Sequence, residues 1–380
     1  MRSYVAVATI LAGLFTSADA QAYNFLRAWN GGAIKYQSNM FTLQTNPTVH
    51  ARYRQVVNTA AQRINLNSSN AWVNVVIDDD NFSYLRNSEN EVNWVSQATF
   101  RSICGPTAGS ACAPNHYSHS LQSSTRISES DVVVWGTETP GLLNTNSTDS
   151  ELVAQLWGYS SPAARPLVNT LLHEIGHCLG LQHESRVYSI MGIDWTHNTS
   201  GGMVTYADLG SDSISGLNSV FGSYEVGRWE DVQVSHWKYA GNASGEYANH
   251  KRTEAWNTVG GNLNWNSNWR AGAPNPIFVG TPVIIDATLE NNGYFRYDVD
   301  VEWVFSSDFT IDASDMVLAR ATYRNLRPGN PAPVYSPYLQ MPAAMRGVSG
   351  IIGVRIDPAN RIAEVQEWNN SAWLFRVTVF

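Results

Sequence analysis

Charged side chains are scarce in this 380-residue chain. They make up 15% of it, against 43% hydrophobic residues, and the acidic ones outnumber the basic ones, 32 to 24. The net charge of -8 leaves no basic excess from which to build a phosphate-binding face, so nucleic acid is excluded as an expected partner. The apolar fraction is too high for a disordered chain. Long hydrophobic runs are missing beyond the N-terminus, and no membrane span is expected. Only three cysteines occur, Cys104, Cys112 and Cys178.

The one apolar run, Tyr4 to Phe15, follows Arg2 and precedes the small-residue stretches Ala18-Asp19-Ala20 and Ala20-Gln21-Ala22. It is shorter than the roughly 20 residues a spanning helix needs, and it has the layout of a secretory signal over residues 1–22. The expected location is secreted and extracellular, or periplasmic in transit. In an oxidising compartment Cys104 and Cys112, which flank a Gly/Pro/Ser/Ala loop, are expected to form a disulfide. Cys178 is expected to be a buried small hydrophobe. Sequons at Asn67 and Asn242 matter only in a host that glycosylates.

The order of elements points to an α+β first half. Trp29 to Gln37 has the alternation of an opening strand. Asn46-Pro47 begins a helix whose apolar positions Val49, Tyr53, Val56, Ala60 and Ile64 recur at three and four residues, ending near Asn65. Ala71 to Ile77 and Asp131 to Trp135 are expected as buried strands, with a loop-rich stretch between Asn81 and Arg126. A second helix is expected over Pro166 to Gly180, with Ser160 and Ser161 as cap candidates, and a third over Asp212 to Phe221, stopped by Gly222. Beyond a boundary near Ser223 to Gly227 the pattern changes. Val283, Ile285, Ala287 and Leu289 alternate with polar residues, as do Val301, Trp303 and Phe305, and Ile352, Val354 and Ile356. Turn signals between them, including Asp308, Asp312 and Asp315, predict a β-sandwich. Trp229, Trp237, Trp256, Trp265 and Trp269 are open to two readings, a ligand-stacking surface or packing of the core and the contact between halves.

The chemistry concentrates in His173-Glu174-Ile175-Gly176-His177-Cys178-Leu179-Gly180-Leu181-Gln182-His183. Histidines at i and i+4 on a helix project from one face, one turn apart, so both imidazoles can reach one ion. Glu174, one position round, can reach a water on that ion without ligating it. Gly180 lets the chain leave the helix in a left-handed conformation and bring His183 back as a third ligand. Three nitrogens with a position left open is a catalytic zinc arrangement. A bare five-residue pattern arises by accident in ordinary helices; the extended form fixes five positions.

This extended motif resembles the signature of the metzincin clan of zinc endopeptidases. Ser189-Ile190-Met191-Gly192 resembles the clan's methionine turn, with Met191 packed beneath the metal, and its short distance from His183 is similar to that of the matrixins. Ser130-Asp131-Val132-Val133-Val134 and Leu209 to Leu217 resemble the matrixin central strand and closing helix. The departures are Glu184, where matrixins usually carry Ser and astacins Glu; Ile193, where astacins have Tyr; Ser213 in place of a second acidic residue; and the lack of an upstream cysteine for a latency switch. The last 110 residues or so resemble CARDB-type domains, bacterial immunoglobulin-like modules linked to adhesion, through Ala287 to Gly293 and Ile356 to Asn370. The resemblance implies a metzincin-like α+β catalytic domain over residues 23–225 and an all-β immunoglobulin-like sandwich over 226–380, CARDB-like in its later part. It implies a catalytic Zn2+ on His173, His177 and His183, with Glu174 as general base in peptide-bond hydrolysis. Structural Ca2+ is an open call at Asp78-Asp79-Asp80, where a solvated acidic turn is preferred. Protein or peptide substrates are expected, together with an extracellular-matrix or cell-surface ligand for the C-terminal module. The competing readings are an adhesin and a narrowly specific processing or toxin-like protease.

Overall fold

A computed structural model describes residues 24–27, 32–45, 51–77, 86–106, 111–120, 123–135, 167–184, 189–192, 198–202, 204–223, 229–235, 253–265, 273–308 and 310–380. The expected signal, the Asn46-Pro47 start, Ser160, Ser161, Pro166, Asp78 to Asp80, Ile193, Asn242, Trp29, Trp237 and Trp269 lie outside these residues.

The first half runs β1 (Asn24–Phe25), β2 (Met40–Thr45), α1 (Ala51–Asn65), β3 (Trp72–Ile77), β4 (Glu91–Val95), α2 (Gln97–Cys104), β5 (Ala111–Cys112), β6 (Asn115–Ser120), β7 (Ser123–Ser130), β8 (Val132–Trp135), α3 (Leu167–Leu179), β9 (Leu181–Gln182), β10 (Asn198–Gly202), β11 (Val204–Ala207) and α4 (Gly210–Phe221). Five strands form a sheet in the order β3-β2-β4-β8-β5, parallel except for the short edge strand β5. Parallel neighbours need a long connection, and α1 supplies it between β2 and β3. Its Val56, Val57, Ala60 and Ile64 are buried with Phe41, Leu43 and Val73 of the sheet. Helix α3 is buried along its whole length except at His177, as expected of a helix with few polar positions that runs through a core.

Three expectations are corrected here. Over residues 32–37, the described part of the expected opening strand, isolated bridges stand in its place, Arg27 to Ala33 and Tyr36 to Ile127, and the sheet strand is β2. Ile34 and Tyr36 are buried as their alternation requires, but their backbone lacks a strand partner along its length. The Ala71 to Ile77 segment is an edge strand, β3, with Trp72 and Ile77 exposed; its β-branched run stems from strand propensity, which does not distinguish edge from centre. The stretch from Asn81 to Arg126 is more regular than expected. It holds β4 and α2, and Ser96 caps α2 by accepting from the Thr99 amide.

The second half comprises β12 (Val232–Ser235), β13 (Ala255–Asn257), β14 (Asn275–Ile277), β15 (Val283–Asn291), β16 (Tyr297–Ser306), β17 (Met316–Leu326), β18 (Ala332–Tyr335), β19 (Ser349–Ile356) and β20 (Ser371–Val379). With β10 and β11 they make an eleven-stranded sheet whose main path is β13-β15-β12-β10-β20-β19-β16-β17. The alternating residues of β15, β16 and β19 form its core, as expected. Asp286, Thr288 and Glu290, the polar residues that alternate with them in β15, are buried as well. Trp265 packs edge-on against Phe375, which supports the packing reading for this residue, whereas Trp256 lies 5.6 Å from the ring of the exposed Tyr335. Asp308, Asp312 and Asp315 accept backbone amides in turns, as expected.

The two halves meet through buried polar groups. The Ser211 amide at the start of α4 donates to Glu290 Oε2 at 2.7 Å, and Ser68 Oγ donates to the Asn292 carbonyl at 3.2 Å. The Asn292 side-chain amide donates to Asp208 Oδ2 at 3.4 Å, and within the second half Asn292 and Asn369 donate to Asp231 at 2.8 and 3.0 Å. Burial pushes Asp231 well above the usual carboxylate range, with Asp208 and Glu364 adding to the rise; burial likewise pushes Glu364 up to about 8. A carboxyl raised in the folded state binds more protons folded than unfolded between its ordinary value near 4 and its raised one. Its stabilising contribution is therefore complete below pH 4 and is lost as pH rises through the raised value, which for Glu364 is about 8. At constant zinc, the unfolding temperature of the second half should fall between pH 5 and 8.5. A rise over that window, followed by tryptophan fluorescence, would contradict the assignment of these two groups.

Candidate active site

Helix α3 carries His173 and His177 on one face. At its end Gly180 has φ +106°, the left-handed region that the motif requires, and a Cβ there would run into the Ile34 carbonyl oxygen. The chain then pairs with β1 through β9 and delivers His183 back to the helix. His173 Nε2 lies 3.1 Å from both His183 Nε2 and His177 Nε2. Tetrahedral zinc with bonds of about 2.0–2.1 Å separates its nitrogen ligands by about 3.3 Å, so the three imidazoles fit the ion.

The tautomers reinforce this. His173 Nδ1 donates to the Ile190 carbonyl and His177 Nδ1 to the Leu181 carbonyl, each at 2.8 Å. A carbonyl only accepts, so in the neutral ring the proton sits on Nδ1 and Nε2 presents a bare lone pair. Two lone pairs 3.1 Å apart repel unless a cation lies between them. Burial pushes His177 down to about 4 and also lowers His183, so burial works against a protonated ring at these two positions. These two backbone carbonyls are the outer-shell partners that orient metal-binding imidazoles. Sequence reasoning missed them, because a backbone acceptor leaves no mark in residue identity.

Glu174 is buried beside the triad, and burial pushes its carboxyl up to about 8. Met191 is buried against the same helix: a Cβ on Gly176 would come within 2.5 Å of its Sδ. This explains a glycine in the middle of α3, where backbone entropy disfavours it. The turn carrying Met191 is held by Ser189, whose Oγ accepts the Met191 amide at 3.2 Å and lies 3.1 Å from Ser213 Oγ on α4. Ser213, a departure in the sequence, thus props the methionine turn. Glu184, the other departure, is buried, and its amide donates to the Met191 carbonyl at 3.0 Å.

Cys104 and Cys112 form a disulfide. Cys178 is buried and free, and burial pushes its thiol far up, which makes it inert as expected. Asn67 is buried and donates to the Ile64 carbonyl, so its sequon is closed to modification. Gly180→Ala should cost roughly 1–3 kcal/mol from the left-handed backbone alone, and more from the Ile34 contact. A denaturation midpoint like that of the wild type would show that the helix exit is not constrained as described.

Residues 44–222 match the family model described as Matrixin, the M10 peptidases. This segment is matrixin-like. That family is one of zinc-dependent metallopeptidases, and the histidine triad of this segment offers a matching ligand set. No curated protein matches the chain. Among solved structures, the CARDB domain of a Pyrococcus furiosus protein is similar at 14% identity, over 42% of this chain and 95% of that one, with a TM-score of 0.24. A Geobacter metallireducens protein is similar at 21% identity, over 28% and 86%, with a TM-score of 0.20. Among the described residues, no helix is long and apolar enough to cross a membrane.

Proposed function

We propose that the chain is a secreted zinc endopeptidase that hydrolyses internal peptide bonds of extracellular proteins. The observation that carries the reading is the convergence of three ring nitrogens, His173 Nε2 at 3.1 Å from both His177 Nε2 and His183 Nε2, while Nδ1 of His173 and His177 each face a backbone carbonyl. His173, His177 and His183 would hold the zinc, which when bound polarises the scissile carbonyl and acidifies water. Glu174 takes the proton from the attacking water and passes it to the departing amine. Met191 makes no bond to the metal and supports the helix at Gly176.

Export is supported by the signal-like residues 1–22 and by the Cys104–Cys112 disulfide, which suits an oxidising compartment. Residues 23–225 form the catalytic unit and 226–380 an immunoglobulin-like accessory unit. The buried Ser211 to Glu290 bond favours a supporting role for the accessory unit over that of a loose tether. The adhesin reading has no use for a buried carboxyl beside three imidazoles. The test is to offer an unfolded protein to the zinc-loaded chain and sequence the new ends. Internal cuts support an endopeptidase; trimming confined to the termini would refute one.

A further inference from the structure

We infer that His116, Glu129 and Asp131 form a second divalent-cation site, separate from the histidine triad, which clamps the β6–β7 hairpin to the main sheet. His116 on β6 pairs directly with Glu129 on β7, and Asp131 follows two residues later, just past the end of β7. One ligand atom from each of the three lies within 4.8 Å of the others. His116 Nε2 stands 3.7 Å from Glu129 Oε1. That is too long for a hydrogen bond and close to the roughly 3.4 Å between two ligand atoms on a tetrahedral ion.

Two of the atoms facing this gap have no hydrogen bond among the described residues. Asp131 is fully buried, and its Oδ2 has no hydrogen-bond partner among the described residues. Its Oδ1 is used by the Glu91 amide at 3.1 Å. His116 Nε2 is also enclosed and without a hydrogen bond. A buried carboxylate oxygen left unmatched carries a desolvation cost that a cation would offset. Glu129 is oriented from behind, since its two oxygens accept the Asn87 and Ser88 amides at 3.1 and 2.6 Å. An irregularity between His116 and Tyr117 in the hairpin register falls at the same point; bulges of this kind re-aim side chains.

The donor set is one imidazole and two carboxylates. Imidazole disfavours calcium and magnesium, and the mixed nitrogen and oxygen set suits zinc. The placement gives the ion a structural task. The hairpin forms its own two-stranded sheet, whereas Asp131 leads into β8 of the main sheet and Glu129 holds the turn that enters β4. The neighbouring Asn115 side chain reaches the His177 carbonyl at 3.4 Å, so the hairpin abuts the end of the active-site helix.

The test is zinc content of the full-length mature protein after equilibrium dialysis, for the wild type, His116→Gln, Asp131→Asn and His183→Ala. The expected result is two equivalents in the wild type and one in each variant, with zinc raising the unfolding temperature of His183→Ala by about 5 °C. Adding His116→Gln to His183→Ala should abolish both the remaining equivalent and the shift. His116→Gln changes a partly exposed side chain, so its fold is retained even if Asp131→Asn fails. A wild type with one equivalent, lost in His183→Ala and kept in His116→Gln, overturns the second site and leaves the triad intact. A wild type with one equivalent, lost in His116→Gln and kept in His183→Ala, upholds the second site and refutes zinc on the triad.

Discussion

Glu174→Gln should retain its zinc and lose turnover by about 10²- to 10⁴-fold, the usual contribution of a positioned general base. The substitution keeps the shape of a side chain buried beside the triad, so folding and metal binding are spared. What is lost is the ability to accept a proton. Burial alone holds this carboxyl at about 8, which would keep it protonated and idle at neutral pH. A divalent cation on the adjacent imidazoles favours the ionised form and frees it to act. The comparison is made as kcat on one peptide substrate at matched zinc content. A variant within tenfold of the wild type would remove Glu174 from the mechanism.

The second large effect is expected from His183→Ala. Of the three imidazoles, His183 is the exposed one, delivered by the turn at Gly180, whereas His173 is buried in α3. Removing His183 therefore leaves no core cavity, and the variant should fold. Two neutral imidazoles remain. Zinc affinity should fall by more than about 100-fold, beyond the loss seen when an outer-shell partner is removed, and hydrolysis should be abolished. Dialysis against limiting zinc followed by metal analysis checks this. Retention of the full wild-type complement together with activity would exclude His183 as a ligand.

The site was more legible in the sequence than the sheet that carries it. The i, i+4 histidines and Gly180 fix their geometry through helix periodicity and one left-handed residue, both local properties. The apolar rows of α1 and α3 were equally legible, because a helix buried on one side or throughout writes its contacts into a regular spacing. The stretch holding β4 and α2 was not, since a five-residue strand followed directly by an eight-residue helix is too short to establish a period, and only Ser96 marks their junction. The edge position of β3 depends on pairing with β2 alone, which residue identity does not encode. Also hidden was the join between the halves: Glu290 and Asn292 look like exposed strand-end polar residues until their partners Ser211, Ser68 and Asp208 arrive from elements far away in the chain. The same holds for His116, whose partners Glu129 and Asp131 become neighbours only once the hairpin closes.

The central claim is zinc-dependent cleavage by the triad and Glu174. It is tested most directly by offering an unfolded protein to the mature chain in three states: zinc-loaded, stripped with a chelator, and reloaded. The account predicts internal cleavage in the first state, none in the second, and recovery in the third. Zinc bound at His173, His177 and His183 with no internal cleavage, or cleavage that persists after the metal is removed, would contradict it.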